Sequence, residues 1–188
     1  MAATNSVELK IELEFIEPLI WRRVAVPDSC SLGDLHSVIQ TAMGWRDCHL
    51  HCFDIDGTKY TFPNQLPEMD MEDEGTVHLS DLIKSGIKRF LYEYDFGDDW
   101  RHWITIEKVS PVDSNSTLPD CLDGARACPP EDCGSIPGYE DLVMAFNDES
   151  PDEDQDALLE WLESMEPGWN PDVFDRGRVN KELQESWR

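Results

Sequence analysis

The feature that most constrains the fold is a strict alternation of apolar and polar residues near the start of the chain. Apolar side chains occupy every second position from Val7 to Phe15, and Glu or Lys lies between them. Because successive side chains of a strand point to opposite faces, this period of two predicts a half-buried β-strand. A turn at Glu17 and Pro18 and the apolar residues 19–26 predict that a second strand completes a hairpin.

A helix is predicted to follow this hairpin. Ser31 and Asp34 have the spacing of a capping box, and apolar residues recur at helical intervals until Gly44, which is expected to end the helix. Further strands are predicted at residues 49–55, 58–62, 90–96 and 100–108, a surface loop at 63–76, and one helical turn at 80–83. The sequence therefore predicts an α+β fold with one main packed helix.

A tight hairpin is predicted between the last two of these strands. Residues 97–99 would form a three-residue loop, which places Tyr94 opposite His102 and Asp95 opposite Arg101. This register puts an alternating row of aromatic side chains on one face, where we expect it to join the core.

The C-terminal part of the chain has a different composition. Residues 109–137 are rich in Pro, Cys and Gly, and we expect a structured loop or linker there. Helical spacing returns in residues 138–188, with a capping box expected at 150–153, so an acidic helical extension is predicted. We expect a single domain over 1–188, in which 7–108 form the sheet and its helix.

Charge limits the partners of the protein. The 188 residues include 15 Lys and Arg against 40 Asp and Glu, a formal net charge of −25. This repels polyanions, so non-specific nucleic-acid binding is not expected, and a basic protein partner or an adaptation to a salty host are alternative explanations. There is no bilayer-length apolar run and no signal-peptide pattern at the start, so we expect a cytoplasmic protein without membrane contact.

Two resemblances follow from the order of these segments and from short motifs. Residues 7–96 are similar in element order to the β-grasp topology of ubiquitin-like domains, which implies a fold and no function. The motifs IWRRVAVP, YEYDFGDDWRH and CPPEDCGSIPGY resemble the plasmid open-reading-frame-3-like family, which includes passenger proteins of bacterial insertion elements. The resemblance implies an association with mobile elements and supplies no established activity. Ser135 stands where the family usually has a second glycine, which argues against a positive φ there.

The six cysteines raise the question of a metal. In a cytosolic chain a disulfide framework is disfavoured. Cys121, Cys128 and Cys133, with His102 as a fourth ligand, could wrap a tetrahedral Zn²⁺. The chain has no CxxC pair, and the alternative is that these cysteines are small buried thiols.

Polar residues concentrate around the predicted hairpin. Carboxylates beside a histidine can bind a hard metal or act as acid and base. The candidate residues are Asp95, Asp98, Asp99, Arg101 and His102, with Glu131 and Asp132 placed beside them in an acidic, cation-binding cleft. The alternative is that Gly-Asp-Asp serves only the backbone of a turn. His49 and His51, which share a face of their predicted strand, are a further candidate metal pair.

These patterns favour a binding or interaction module without catalysis. The sequence has no P-loop, GxGxxG, GxSxG or HExxH motif, and no catalytic set is complete. The first alternative is a metal-dependent enzyme or zinc-stabilised protein that uses the FGDD hairpin and the Cys-rich loop. The second alternative is an accessory factor in DNA transactions, which the charge opposes.

Overall fold

The computed structural model describes residues 5–62, 70–112 and 117–187. The strands are β1 (Asn5–Leu13), β2 (Trp21–Pro27), β3 (His51–Ile55), β4 (Thr58–Thr61), β5 (Glu72–Asp73), β6 (Arg89–Tyr94), β7 (Trp100–Pro111) and β8 (Asp120–Ala125). The helices are α1 (Leu32–Met43), α2 (Leu79–Lys84), α3 (Ser135–Asn147), α4 (Glu153–Met165) and α5 (Arg176–Ser186), with a 3₁₀ turn at Glu74–Thr76. Part of the predicted loop 63–76 lies outside the described residues.

The strands form one mixed sheet, so the predicted α+β class is confirmed. Its order is β5-β4-β3-β6-β7-β1-β2-β8, and neighbours are antiparallel except for β4 and β5. In β1 buried residues alternate with half-buried ones from Val7 to Leu13, as the sequence alternation predicted. Phe15, which the alternation placed in the core, instead lies in the following turn and is 66% exposed.

The β-grasp arrangement is not confirmed. A β-grasp sheet sets its first strand directly beside the last strand of the unit, and the two run parallel. Here β7 is antiparallel to both β1 and β6, so those two run in the same direction with β7 between them.

The predicted main helix is confirmed with its caps. Ser31 Oγ accepts the Asp34 backbone N–H, the Asp34 side chain accepts from the Ser31 backbone, and Gly44 ends α1 at φ 103°. Its buried residues, which include Leu35 and Ile39, join the inward side chains of the sheet in one core. Among the described residues, no helix is both long enough and apolar enough to cross a membrane.

The β6–β7 hairpin differs from the predicted register by two residues. Tyr94 faces Trp100 and Tyr92 faces His102, so the loop has five residues, 95–99. Because the shift is even, the aromatic row keeps its predicted face.

The predicted pair of Asp95 and Arg101 is therefore wrong. Glu93 lies opposite Arg101, while Asp95 and Asp99 sit inside the loop at φ 57°. Asp tolerates this left-handed conformation better than most residues, which explains how two aspartates allow the longer loop.

The segment 109–137 is more regular than predicted. It contains the edge strand β8 and the start of α3. Asn180 of α5 accepts from the Cys121 N–H at 2.6 Å and donates to the Cys121 carbonyl at 3.0 Å. This side-chain amide takes the place of a further strand and protects the edge.

The predicted helical extension is present, with one change at its start. Asp152 and Gln155 form the capping box of α4, two residues later than expected. The last predicted helix corresponds to α5, whose Val179 and Leu183 are buried.

Candidate cation site

Four polar side chains meet where the residues before β3, the loop 95–99 and the segment before α3 come together. We call His49, Asp95, Glu131 and Asp132 the His49 cluster. The Nε2 atom of His49 lies 3.7 Å from Asp95 Oδ2, 3.7 Å from Glu131 Oε2 and 3.2 Å from Asp132 Oδ1. One imidazole nitrogen is thus surrounded by carboxylates from two other segments.

Two tryptophans fix the segment that carries Glu131. The indole N–H of Trp45 donates to the Pro129 carbonyl at 3.0 Å, and that of Trp169 donates to the Cys128 carbonyl at 3.0 Å. Two successive prolines also restrict this backbone. The position of Glu131 is therefore set by rigid neighbours.

Further hydrogen bonds orient the buried Glu131 carboxylate. Its Oε1 accepts from the Tyr94 hydroxyl at 3.0 Å and from the Arg46 backbone N–H at 2.8 Å. Burial raises the pKa of Tyr94, so the hydroxyl stays protonated and keeps donating. The Tyr94 hydroxyl also accepts from the Cys48 backbone N–H, 3.0 Å away, which ties the residues before β3 to the same point.

The hairpin loop is fastened to the start of α3. Gly134 N–H donates to Asp98 Oδ2 at 3.2 Å, and Ser135 Oγ donates to the Asp98 carbonyl at 2.8 Å. Ser135 has φ 64°, so the positive φ that a non-glycine residue argued against is present here. At Gly138 a Cβ atom would lie 1.8 Å from the Cys133 carbonyl oxygen, so only glycine allows this close approach.

The cluster has the composition of a metal site with an open side. The Nε2 atom of His49 is buried but makes no hydrogen bond, whereas the Asp132 side chain is 62% exposed. Ligand atoms of His49, Asp95 and Asp132 all lie within 4.8 Å of one another. A groove of about 340 Å³ beside them is lined by residues that include Asp95 and Phe96. A cation could therefore be held by three side chains and remain reachable from solvent.

The structure separates the other predicted polar residues from this cluster. Asp98 acts through the loop contacts above, and Asp99 is exposed. Arg101 points to the other face of the sheet, where its Nε lies 3.6 Å from Glu14 Oε2. His102 is fully buried with no hydrogen bond to either ring nitrogen, and burial lowers its pKa to about 3.

Sequence reasoning placed His49 with the wrong partner. His49 lies before β3, which begins at His51. The alternation of side chains along a strand therefore does not place the imidazole rings of His49 and His51 on one face. His51 instead enters the core, where its Nε2 lies 2.7 Å from Glu74 Oε2. The only sequence signal for His49 was its position next to a predicted strand. That position does not reveal that carboxylates more than 40 residues away lie beside it.

The four residues predicted to bind zinc are not brought together. The described residues contain two groups of three possible ligand atoms within 4.8 Å, and neither includes a cysteine. Cys121 lies on β8 and is held by Asn180, whereas Cys128 is buried beside Arg22. Burial raises the pKa of Cys121 to about 11 and that of Cys133 to about 12, which favours neutral thiols.

The second group of possible ligand atoms comes from His36, Asp47 and His51. It overlaps a buried histidine cluster, which we define as His36, His51, Glu74 and Tyr92. The two imidazole rings stack 3.5 Å apart at an interplanar angle of 8°. The Tyr92 hydroxyl lies 2.8 Å from His36 Nδ1, and His36 Nε2 lies 2.9 Å from Asp47 Oδ1. Because the in-plane lone pairs of stacked rings run side by side, they do not converge on one ion.

Comparisons with known proteins identify relatives over most of the chain. The family description "Plasmid pRiA4b ORF-3-like protein" matches residues 5–178. "Uncharacterized protein y4hQ" of Sinorhizobium fredii (strain NBRC 101917 / NGR234) is 36% identical over 161 residues, which are 85% of this chain and 82% of that protein. The crystal structure of "Protein of Unknown Function MM3350 from Methanosarcina mazei Go1" is similar with a TM-score of 0.82 and 33% identity, covering 94% of this chain and 98% of that one.

Proposed function

The chain belongs to the plasmid pRiA4b ORF-3-like family, and from that premise we propose that it is a binding module that holds a divalent cation at the His49 cluster. The names of the two relatives assign no activity, so the proposal depends on the geometry of this chain. The observation that carries it is a buried imidazole nitrogen without a hydrogen bond, 3.2 to 3.7 Å from three carboxylates.

The ligand set indicates which ions to expect. His49, Asp95 and Asp132 supply one nitrogen and two carboxylate groups. Ca²⁺ and Mg²⁺ prefer oxygen ligands throughout, whereas an imidazole suits Zn²⁺ and other transition metals. Glu131 lies next to His49 and is oriented by Tyr94 and Arg46, so it adds negative charge beside the ion. We expect Zn²⁺ or Mn²⁺ to bind more tightly than Ca²⁺.

Calorimetric titration of the full chain with Zn²⁺, Mn²⁺ and Ca²⁺ tests this proposal. Physiological salt screens the diffuse attraction of cations to a protein of charge −25. We expect one strong site for Zn²⁺ or Mn²⁺, and at least about tenfold weaker binding after His49→Asn. His78→Asn is the matched control, because His78 lies 3.7 Å from a single carboxylate, that of Asp81.

Two results would reject the cation site. One is saturable binding that His49→Asn leaves unchanged. The other is the absence of any 1:1 binding, in which case His49 serves only as an ion-pair partner of its neighbours.

A metal-dependent enzyme is the second candidate. The groove beside Asp95, together with the exposure of Asp132, favours it, because a substrate could reach an ion held there. Hydrolysis of generic phosphate and carboxylate esters, measured with and without the ion, separates the two candidates. Turnover that requires both the ion and His49 would replace the binding module with an enzyme.

The remaining expectations about partners stay predictions. We expect a cytoplasmic location, and either a basic protein partner or adaptation to a salty host would explain the charge. The mobile-element association that the resemblance implies leaves an accessory role in DNA transactions open. Saturable duplex-DNA binding at physiological salt would support that role against the net charge of −25.

Zinc held by Cys121, Cys128, Cys133 and His102 is tested separately. Elemental analysis is combined with a thiol count in the native and unfolded states. We expect Cys48, which is exposed, to react first, and all six thiols to react on unfolding without a chelator. Stoichiometric zinc that keeps the three cysteines unreactive until chelation would revive the zinc site.

A further inference from the structure

A buried arginine without a carboxylate partner among the described residues lies in the same cavity wall as Glu131. Arg22 of β2 is 2% exposed, and the titratable groups that act on it are the thiols of Cys128 and Cys121 rather than carboxylates. Arginine stays protonated in proteins. Buried charges are normally paired, because their desolvation is costly, so an unpaired guanidinium requires an explanation.

Main-chain carbonyls satisfy only part of this guanidinium. Its Nε donates to the Ala42 carbonyl at 2.8 Å, and its Nη1 donates to the carbonyls of Trp21 at 2.8 Å and Ala125 at 2.9 Å. These bonds fasten the C-terminal end of α1 to β2 and β8. The Nη2 atom, which carries two of the five N–H donors, has no partner among the described residues.

Arg22 also lines an open cavity whose walls are partly apolar and partly charged. The cavity has a volume of about 230 Å³, and Met43, Trp169 and Phe174 are among its lining residues. The guanidinium carbon lies 4.1 Å from the centre of the Phe174 ring. Gly124 makes this stacking possible, since a Cβ atom there would lie 2.6 Å from the ring.

The carboxylates that line this cavity already have partners. Glu131, which also belongs to the His49 cluster, forms part of the wall and accepts from the Tyr94 hydroxyl and the Arg46 backbone N–H. Glu166 forms an ion pair with Arg46, and Glu182 accepts from Arg178 Nε at 2.8 Å. Asp175 caps α5 by accepting from the Arg178 backbone N–H at 3.0 Å. The free donor of Arg22 is therefore not used by any of these acids.

We propose that this cavity binds a small monocarboxylate with an apolar or aromatic body. The carboxylate would accept from Arg22 Nη2, and the body would pack between Trp169 and Phe174. The volume suits a molecule of amino-acid size and is below that of drug-sized pockets. The rim carboxylates disfavour a doubly charged group, because repulsion grows with ligand charge, so phosphate is excluded as the preferred ligand.

Binding of phenylacetate to the full chain, compared with phenylacetamide and inorganic phosphate, tests the proposal. Dissociation constants are measured by calorimetry and by tryptophan fluorescence. Phenylacetamide has nearly the same shape but no charge, so we expect it to bind at least about tenfold more weakly. Phosphate is expected to be weaker than phenylacetate. Equal binding of acid and amide, tighter binding of phosphate, or no saturable phenylacetate binding would overturn the proposal.

Variants locate the binding site. Val173→Trp fills the mouth of the cavity from a residue that is 55% exposed, and we expect about tenfold weaker phenylacetate binding. Val109→Trp is the control, since Val109 is also exposed but lies on β7 outside the cavity. Unchanged binding in Val173→Trp would overturn the assignment to this cavity.

Arg22→Met tests the carboxylate contact itself and is expected to abolish the preference for phenylacetate over the amide. If this variant does not fold, the comparison of acid with amide and the Val173→Trp result still decide whether the cavity binds the carboxylate. Phenylacetate binding is measured in the presence of a chelator, so that a result for this cavity does not depend on whether the cation site is occupied.

Discussion

Two groups of histidines and carboxylates lie next to each other along β6, one at Tyr92 and the other at Tyr94, and have opposite character. In the buried histidine cluster, His36 uses both ring nitrogens, and His51 Nε2 is paired with Glu74. In the His49 cluster, the buried Nε2 atom has no hydrogen bond, and Asp132 opens to solvent. In both clusters one buried imidazole nitrogen lacks a hydrogen bond, His51 Nδ1 in the first and His49 Nε2 in the second, so the two clusters differ in their access to solvent.

The hydrogen bonds around His36 are consistent with a neutral imidazole. Gln40 Nε2 donates to the Tyr92 hydroxyl at 3.0 Å, so that hydroxyl donates onward to His36 Nδ1 and leaves Nε2–H to donate to Asp47. Such a chain specifies one tautomer and one packing. Its carboxylates and rings stabilise the fold, whereas in the His49 cluster the Asp132 side chain is 62% exposed and His49 Nε2 makes no hydrogen bond.

Acidification should have the largest effect on stability, and it acts through buried histidines. Burial lowers the pKa of His36 to about 4 and that of His102 to about 3. Below the ordinary pKa of histidine, the unfolded chain takes up protons that the folded chain does not, so stability falls as pH falls. From pH 7 to pH 5 we expect a loss of about 3 kcal/mol in the free energy of unfolding, measured by urea denaturation.

His102→Leu is the control for this pH effect. It removes one of the two histidines whose pKa burial lowers and puts an apolar side chain in the core, so the variant should still fold at pH 7. The loss between pH 7 and pH 5 should be about half that of the unaltered protein. An unchanged pH dependence would show that His102 is not responsible.

Removing the tyrosine hydroxyl that contacts each cluster should give the next largest difference in the free energy of unfolding. Tyr92→Phe leaves His36 Nδ1 and the Gln40 amide unpaired in the core, and we expect a loss of about 2 to 3 kcal/mol. Tyr94→Phe, two residues along the same strand, should cost about 1 kcal/mol, because Glu131 keeps its bond from Arg46. Chemical denaturation at pH 7 measures both, and equal losses would contradict the proposed contrast.

The smallest effects should come from neutralising one carboxylate in each cluster. Glu74→Gln weakens a charge-assisted hydrogen bond to His51 in a residue that is 4% exposed, and we expect a loss of about 1 to 2 kcal/mol. Asp132→Asn keeps a residue that tolerates positive φ and should change stability by less than about 0.5 kcal/mol. Its expected effect is on cation binding, so a large loss of stability would place Asp132 in a structural role.

Local patterns predicted the elements that depend on neighbouring residues. The alternation that begins at Val7 and the capping box at Ser31 each describe a short stretch of backbone, and both are present in the structure. The strand β8 was missed because Asp120–Ala125 shows no alternation. Its edge is completed by Asn180, which lies 59 residues from Cys121, and no local pattern contains that contact.

Only part of the candidate site was predicted, because the rest of it depends on contacts between distant segments. Asp95, Glu131 and Asp132 were proposed to meet because each lies in a segment rich in turn residues and acids. The sequence did not show that His49 would join them while His51 turned into the core. That outcome depends on where β3 begins and on the Tyr94 hydroxyl, which holds Cys48 and Glu131 at one point.

Residue spacing and composition are enough to predict the α+β class, the first hairpin, the main helix and the strong negative charge. Tertiary structure alone decided which carboxylates face His49, that His102 is buried without a partner, and that Arg22 lies unpaired in a cavity. These features join residues as far apart as Arg22 and Phe174. Contacts of that kind arise from packing between distant segments, and no periodicity along the chain encodes them.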